Sequence, residues 1–158
     1  MYIHYICVMK IEEAIKQTKG FSSSFEKVVV NIQYTSSYLS LINNDMFSNY
    51  DLSLQQYNIL RIIRGQKGKS VTIKFLIERM MDKSSNASRL IDKLFAKKYV
   101  TREQCDSDRR RVDIFITDLG LKILSEIDVL NEKVLRKMVN LTEKESDQLS
   151  DLLDKLRG

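Results

Sequence analysis

The chain has 158 residues, 43% of them hydrophobic, which suits one domain with a buried core, or one domain with a dimerising extension. It contains no proline and five glycines, so the composition permits long, uninterrupted helices. Its formal net charge of +5 is uneven: residues 51–117 have 15 lysines and arginines against 8 acidic residues, a net of +7, and the rest has a net of −2. The basic excess suits a polyanionic partner for the central part alone.

The sequence offers little for metal or catalytic chemistry. Cys7, Cys105 and His4 are too few for the four ligands of a structural zinc site, and so few cysteines suit a reducing cytoplasm. Cys105 is interpreted as a bystander rather than a redox sensor, because no resolving cysteine is close. With no glycine-rich phosphate loop, ligand cluster or nucleophile–base pair, we expect neither a cofactor nor an enzyme.

The first eight residues are apolar but too few to cross a bilayer, and they lack the features of a signal peptide. They either precede a true start at Met9 or pack on a dimer. After a charged stretch, the first long helix is predicted to start after the capping run at residues 22–24 and to end at about Leu41 or Ile42. The polar residues 43–45 indicate its stop.

Two shorter helices should follow. Ser53 and Gln56 have capping-box spacing and begin a helix that is apolar on nearly all sides, hence buried. Thr72 is predicted to cap a helix that runs to Met81, and residues 71–73 can add a short third strand to the hairpin predicted at residues 99–116. The residues predicted to face inward are Phe75, Leu76, Met80 and Met81.

Residues 84–97 are predicted to form an amphipathic helix with an unusual polar face. Its apolar positions recur at helical spacing. They are Ala87, Leu90, Ile91, Leu94 and Phe95. The opposite face has short polar side chains followed by two cations, a set that suits close approach to base edges in a DNA major groove. These residues are Ser84, Ser85, Asn86, Ser88, Arg89 and Lys93.

A hairpin with a basic tip is predicted after that helix. Residues 99–104 and 112–116 alternate in polarity as strands do, and residues 106–111 between them read as a turn with three adjacent arginines. Taken alone, the helix and the loop could each be a solvated surface element. In this order they predict a winged helix.

Residues 85–94, with Asp108-Arg-Arg110 and Ile116-Thr-Asp-Leu-Gly120, resemble the DNA-binding half of a MarR-family transcriptional regulator. The resemblance extends more loosely over residues 20–157. It implies a mainly α fold with a small β-hairpin wing: a winged helix-turn-helix flanked by N- and C-terminal dimerisation helices. One departure is Lys98, where most relatives have a glycine: either a left-handed lysine costs about 1 kcal/mol here, or the helix ends differently.

The C-terminal part is predicted to be two helices that need another surface. Thr117 should cap one that runs to about Val139, and Thr142 with Glu145 forms a capping box for the last. Their apolar stripes favour a second subunit over an intrachain hairpin. We therefore divide the chain into an N-terminal extension, a helical dimerisation region and a DNA-binding domain. These are residues 1–20, residues 21–50 with 118–158, and residues 51–117.

The predicted function is a homodimeric, sequence-specific regulator that binds double-stranded DNA at a pseudo-palindromic operator. By resemblance it is a repressor released by a small ligand. The predicted contacts are base edges for the serines, Asn86 and Arg89, phosphates for Thr72 and Lys93, and the minor groove for Arg110 with Arg109 or Arg111. Asp108 should orient Arg110. The alternative function is a winged-helix module that binds protein.

The effector site follows from the resemblance alone. Tyr34 and Tyr38, four residues apart on the first long helix, either line a ligand cavity or are half-buried packing residues, and the packing interpretation is favoured. Neither the ligand, nor the operator, nor the sign of the regulation can be inferred from the residues.

Overall fold

The computed structural model describes residues 9–105, 108–138 and 140–158. Within these ranges the chain forms seven helices and one two-stranded antiparallel sheet. In chain order they are α1 (Ile11–Ala14), α2 (Ser24–Ser48), α3 (Leu54–Arg64), α4 (Ile73–Arg79), α5 (Ala87–Ala96), β1 (Val100–Cys105), β2 (Asp108–Ile116), α6 (Asp118–Met138) and α7 (Glu143–Arg157). In the described part of the chain, no helix is both long enough and apolar enough to span a membrane.

The chain divides into two compact units, Met1–Asp45 and Met46–Gly158. In the described residues of the first, Ile11 on α1 is buried and Lys27 on α2 pairs with Glu12 at 2.5 Å. The predicted stop at residues 43–45 is wrong, because α2 continues to Ser48. Its last turn belongs to the second unit, where burial of Met46 and Phe47 outweighs the poor helix propensity of the preceding Asn and Asp.

The second unit is built around α3. Ser53 and Gln56 make the predicted capping box, and Ile59, Leu60 and Ile63 are fully buried. The core around them takes side chains from α4, α5, both strands and the first half of α6. These are Leu76, Ile91, Leu94, Val100, Ile114, Leu124 and Ile127. α3 is therefore the central element of this unit, and the other elements pack around it.

α4 is shorter than predicted. Thr72 caps it, accepting from the Phe75 N–H at 3.2 Å, but the helix ends at Arg79 because Met80 is extended. Met80 is buried, whereas Met81 is 82% exposed, so the prediction that Met81 faces inward is wrong. The change from helix to extended backbone at Met80 turns the next side chain outward.

The wing differs from its prediction at the tip. Residues 106–111 were expected to be a turn, but β2 already begins at Asp108. Gln104 pairs with Val112 and Cys105 with Asp108, so the register shifts and Arg109–Arg111 are extra residues within β2. The third strand at residues 71–73 is reduced to one bridge, in which Val71 and Ile114 exchange two hydrogen bonds of 2.9 Å.

The C-terminal helices begin where the caps predicted. Thr117 accepts from the Gly120 N–H at 3.0 Å to start α6, and the capping box of Thr142 and Glu145 starts α7. Gly120 has no room for a side chain, because a Cβ there would lie 2.4 Å from the Tyr99 carbonyl oxygen. The helix predicted to reach Val139 is described as far as Met138; Val139 lies outside the described residues.

The C-terminus of α5 is a left-handed cap made by a lysine. Lys98 has φ = +61°, its N–H bonds the Phe95 carbonyl at 2.9 Å, and the Tyr99 N–H bonds the Leu94 carbonyl at 3.0 Å. This pair of bonds is the Schellman motif, which glycine usually completes. The strain expected of Lys98 is therefore present in the fold.

We predict that Lys98→Gly stabilises the protein by about 1 kcal/mol and raises Tm by about 3 °C, because glycine adopts a positive φ without a Cβ clash. Urea and thermal unfolding measure the change. The matched control is Ala96→Gly, two residues earlier and still helical, which should destabilise by about 1 kcal/mol. Equal destabilisation by both substitutions would show that the left-handed cap carries no strain.

Candidate nucleic-acid interface

α5 presents the polar face that the sequence predicted, but it starts later. The helix begins at Ala87, not at residue 84, and Asn86 is its N-cap, accepting from the Arg89 N–H at 3.1 Å. Ser84 and Ser85 lie in the turn before the helix, where their side chains have other partners. Ser88, Arg89 and Lys93 are exposed on α5, on the side away from the buried Ile91 and Leu94.

Asp82 organises that turn, and the sequence reasoning missed it. Its Oδ1 accepts from the Ser84 N–H at 2.9 Å and from the Ser84 hydroxyl at 2.6 Å, and its Oδ2 accepts from the Ser85 hydroxyl at 2.6 Å. Hydrogen bonds from the two hydroxyls, then from the Ser84 N–H, lower the pKa of Asp82 to about 2. An Asp two residues before a Ser is a known local turn pattern, so the signal was present in the sequence.

Two further contacts hold the turn to the helices before it. The Met81 N–H donates to the Asn58 side-chain oxygen on α3 at 3.1 Å. The Lys83 ammonium donates to the carbonyl oxygens of Ile77, at 3.1 Å, and Glu78, at the C-terminal end of α4, where a cation is favoured by the helix dipole. The turn between α4 and α5 is thus fixed from both α3 and α4.

Arg102 on β1 links the wing to α5, a contact that no local pattern in the sequence predicts. One of its Nη atoms lies 2.5 Å from the Asp92 carboxylate, and its guanidinium lies 5.3 Å from the centre of the Phe95 ring. Phe95, predicted to be on the apolar face, is 49% exposed. The guanidinium covers one face of that ring, which makes the exposure tolerable.

On β2, the Asp113 carboxylate forms an ion pair with Arg111. Arg111 donates to Asp113 Oδ1 through Nε at 3.0 Å and Nη2 at 2.9 Å, and the Ser70 hydroxyl donates to the same oxygen at 3.1 Å. The predicted pair of Asp108 with Arg110, like the side chain of Arg109, lies outside the described side chains. Their backbone lies in the first residues of β2.

The remaining predicted residues are Thr72, Tyr34 and Tyr38. Thr72 accepts a bond as the cap of α4, which leaves its own hydroxyl proton to donate to a phosphate. In the first unit, Tyr34 lines a groove of about 310 Å³ with Lys27 and Asn31, whereas Tyr38 is half-buried and does not line it. Among the described residues, no three metal-ligating side chains come together.

Known proteins share both the sequence pattern and the fold. The MarR family profile matches residues 52–112. The HTH-type transcriptional regulator SarZ of Staphylococcus aureus is 32% identical over 109 residues, which are 69% of this chain and 70% of SarZ. A MarR-like transcription regulator from Bacillus cereus superposes with a TM-score of 0.72 at 26% identity, covering 83% of this chain and 94% of that one.

A mutant MarR from Escherichia coli, solved in complex with operator DNA, has a TM-score of 0.69 at 24% identity and covers 85% of this chain and 99% of that one. At this identity the likeness concerns the fold. Together, the helix-turn-helix of α4 and α5 and the hairpin after it define a winged-helix transcriptional regulator. The chain belongs to the MarR family.

The cap of α5 yields a stability prediction. Asn86→Ala should lower the free energy of unfolding by about 1 kcal/mol, because the Arg89 N–H loses its acceptor. Asn86→Asp should change it by only a few tenths of a kcal/mol, since a carboxylate also caps and is favoured at a helix N-terminus. Urea denaturation of the two variants beside the parent measures the difference. An alanine variant as stable as the parent would contradict the role of Asn86 as a cap.

Proposed function

We propose that the protein is a homodimeric regulator that binds double-stranded DNA with sequence specificity, represses transcription and is released by a small effector. The observation that carries the DNA-binding part is α5: an exposed polar face backed by a fully buried one, on a frame held by Asp82 and Arg102. Family membership and the operator-bound relative of the same fold support it. Its place of action would then be the cytoplasm, and we expect no enzymatic role.

The residues divide by the part of the DNA they would meet. Asn86 uses its side-chain oxygen as a cap, so its amide N–H groups are the part that can donate to a base. Ser88 and Arg89 are exposed beside it, and Lys93, one turn further along, suits a phosphate, as does Thr72. We retain the assignment of Arg109, Arg110 and Arg111 to the minor groove, with Asp108 orienting Arg110.

A protein-binding winged helix remains the alternative, and α5 argues against it. Such a module would need an apolar docking face on this helix. Phe95 is half-exposed, but the Arg102 guanidinium lies over its ring and pairs with the exposed Asp92 beside it. The other exposed polar side chains of α5 are Ser88, Arg89 and Lys93. This face is polar and cationic, which favours DNA.

The exposed apolar side chains of the C-terminal helices support the homodimer. On α7, Leu149, Leu152 and Leu156 recur at helical spacing and are 47%, 64% and 55% exposed. On α6, Val129 and Leu135 are also exposed, although Leu130 and Val134 beside them pack against the core. A second copy of the chain is the proposed cover for these faces, and two-fold symmetry would explain a palindromic operator.

The effector is the part of the proposal with the least structural support. The structure of Bordetella bronchiseptica BpsR concerns regulation of its DNA binding by 6-hydroxynicotinic acid, with 19% identity and a TM-score of 0.73. Here, Tyr34 lines an open groove of about 310 Å³, at the lower end of the volumes of small-molecule sites. Tyr34 is therefore the better candidate of the two tyrosines.

Selection of binding sites from random duplexes by the purified protein tests the DNA-binding function, and Arg89 and Arg110 then separate the contacts. Arg89→Ala should lose about 1–3 kcal/mol on the selected site and much less on random DNA. Arg110→Ala should weaken binding to all duplexes by a similar factor and reduce the slope of log K against log salt by about 0.9. Arg136→Ala, which removes an exposed arginine on α6, is the control and should bind like the parent.

Failure of the parent to select any sequence would refute sequence-specific binding. If Arg110→Ala binds every duplex as tightly as the parent, at low and at physiological salt, the assignment of the wing to DNA is refuted. The assignment of α5 to DNA would not be affected.

For the dimer, we predict that the double substitution Leu152→Glu and Leu156→Glu gives a folded monomer with at least tenfold weaker operator binding, because charge is placed where apolar surface must be buried. Sedimentation velocity measures whether the variant is a monomer, and circular dichroism measures whether it is folded. The matched control, Ser150→Glu with Lys155→Glu, changes exposed polar positions of the same helix and should stay dimeric. A parent protein that sediments as a monomer would contradict the proposal directly.

A further inference from the structure

The hydroxyl groups of Ser84 and Ser85, in the turn before α5, already donate hydrogen bonds within the protein. The Ser84 Oγ lies 2.6 Å from Asp82 Oδ1, and the Ser85 Oγ lies 2.6 Å from Asp82 Oδ2. Each serine therefore has its own oxygen of the same carboxylate, and the Ser84 N–H adds a third bond at 2.9 Å. Ser84 is exposed and Ser85 is half-buried, so both can still be reached from outside.

The direction of these bonds follows from the chemistry of the carboxylate. An ionised carboxylate has no proton to give, so both hydroxyls must donate to it. Asp82 stays ionised at neutral pH, because the bonds from Ser84 and Ser85 hold its pKa at about 2. A serine hydroxyl has one proton and two lone pairs, so Ser84 and Ser85 have only acceptor capacity left for a partner outside the protein.

We propose that Asp82 makes Ser84 and Ser85 acceptors towards DNA, so that they select base amino groups, N4 of cytosine or N6 of adenine. The same constraint keeps them from phosphate oxygens and from O6 and N7 of guanine, which accept only. Asp82 is thus a positioning residue for specificity that need not touch DNA. This inference rests on the proposed function and deepens it.

The contacts around Asp82 hold the turn in place, so that both serine hydroxyls stay bonded to its carboxylate. The Met81 N–H is bonded to Asn58, and the Lys83 ammonium is directed to the carbonyl oxygens at the end of α4. On the other side, Asn86 is fixed as the cap of α5. A serine that turned its proton towards a base acceptor would give up a charge-assisted hydrogen bond, which is about twice as strong as a neutral one.

Duplexes that lack single atoms test the proposal. The operator is first selected with the full-length parent. In it, adenine is then replaced by purine and cytosine by 2-pyrimidinone, which remove the amino group, or a purine by its 7-deaza analogue, which removes N7. Affinities are measured at one salt concentration for the parent, Ser84→Ala and Ser85→Ala.

We expect amino-group removal at one or two positions per half-site to weaken the parent by about threefold to tenfold, and to cost the matching serine variant nothing further. Removal of N7 should cost the parent and the serine variants the same factor. Coupling of either serine to N7, or coupling to no amino group at any position, would overturn the proposal.

Asp82 is tested in the same duplexes through Asp82→Asn, which keeps the size of the side chain but no longer forces both hydroxyls to donate. The dependence on the amino groups should weaken by at least threefold, and new sites with guanine at those positions should gain in selection. The matched control, Asp118→Asn, removes an equal exposed charge from α6 and should change the affinity for every duplex by one common factor.

The outcomes distinguish a failure of the proposed function from a failure of this inference alone. If Asp82→Asn does not fold, as judged by circular dichroism, the serine variants decide alone. A parent that selects no DNA sequence refutes the proposed function and this inference together. A parent that selects a site whose serine positions depend on N7, or on nothing, refutes the inference and leaves the function standing.

Discussion

The candidate interface depends on the fixed orientation of α5 about its own axis. Ala87, Ile91 and Leu94 are buried in the core around α3, and burying three such side chains is worth several kcal/mol. No surface contact in this region approaches that energy. The hydrophobic core therefore decides which residues face outward, and Ser88, Arg89 and Lys93 are exposed as a consequence.

Much of the second unit could be predicted because its signals are local and periodic. The spacing of Ile91 and Leu94, and the capping boxes that begin at Ser53 and Thr142, predicted elements that the structure contains. The failures lie where tertiary packing overrides propensity. α2 continues through the polar residues 43–45 because Phe47 beyond them is buried. The wing strand starts at Asp108 because the register shift places Arg109–Arg111 within β2 as extra residues.

The sequence placed Ser88, Arg89 and Lys93 on the exposed side of α5, but it did not predict the contacts that hold this helix. The outward face of α5 follows from helical periodicity, so it is visible in the sequence. The bonds of Asp82 follow a local turn pattern, an aspartate two residues before a serine, so they too could be predicted from the sequence. The pair of Arg102 and Asp92 joins a strand to a helix, and no spacing in a single sequence specifies which of the many basic and acidic residues will meet.

Four of the eight acidic residues in this basic part of the chain share one structural role. Asp51, Asp82, Asp92 and Asp113 each accept from cationic or hydroxyl groups on the helix-turn-helix or the wing. Exposed ion pairs contribute about 0–1 kcal/mol and single hydrogen bonds about 0.5–1.5 kcal/mol, too little to hold the fold. Their effect is on direction, since each fixes where a donor points while the core keeps the elements in place. Specificity for a nucleic acid requires donors and acceptors at defined positions, which a merely basic surface does not supply.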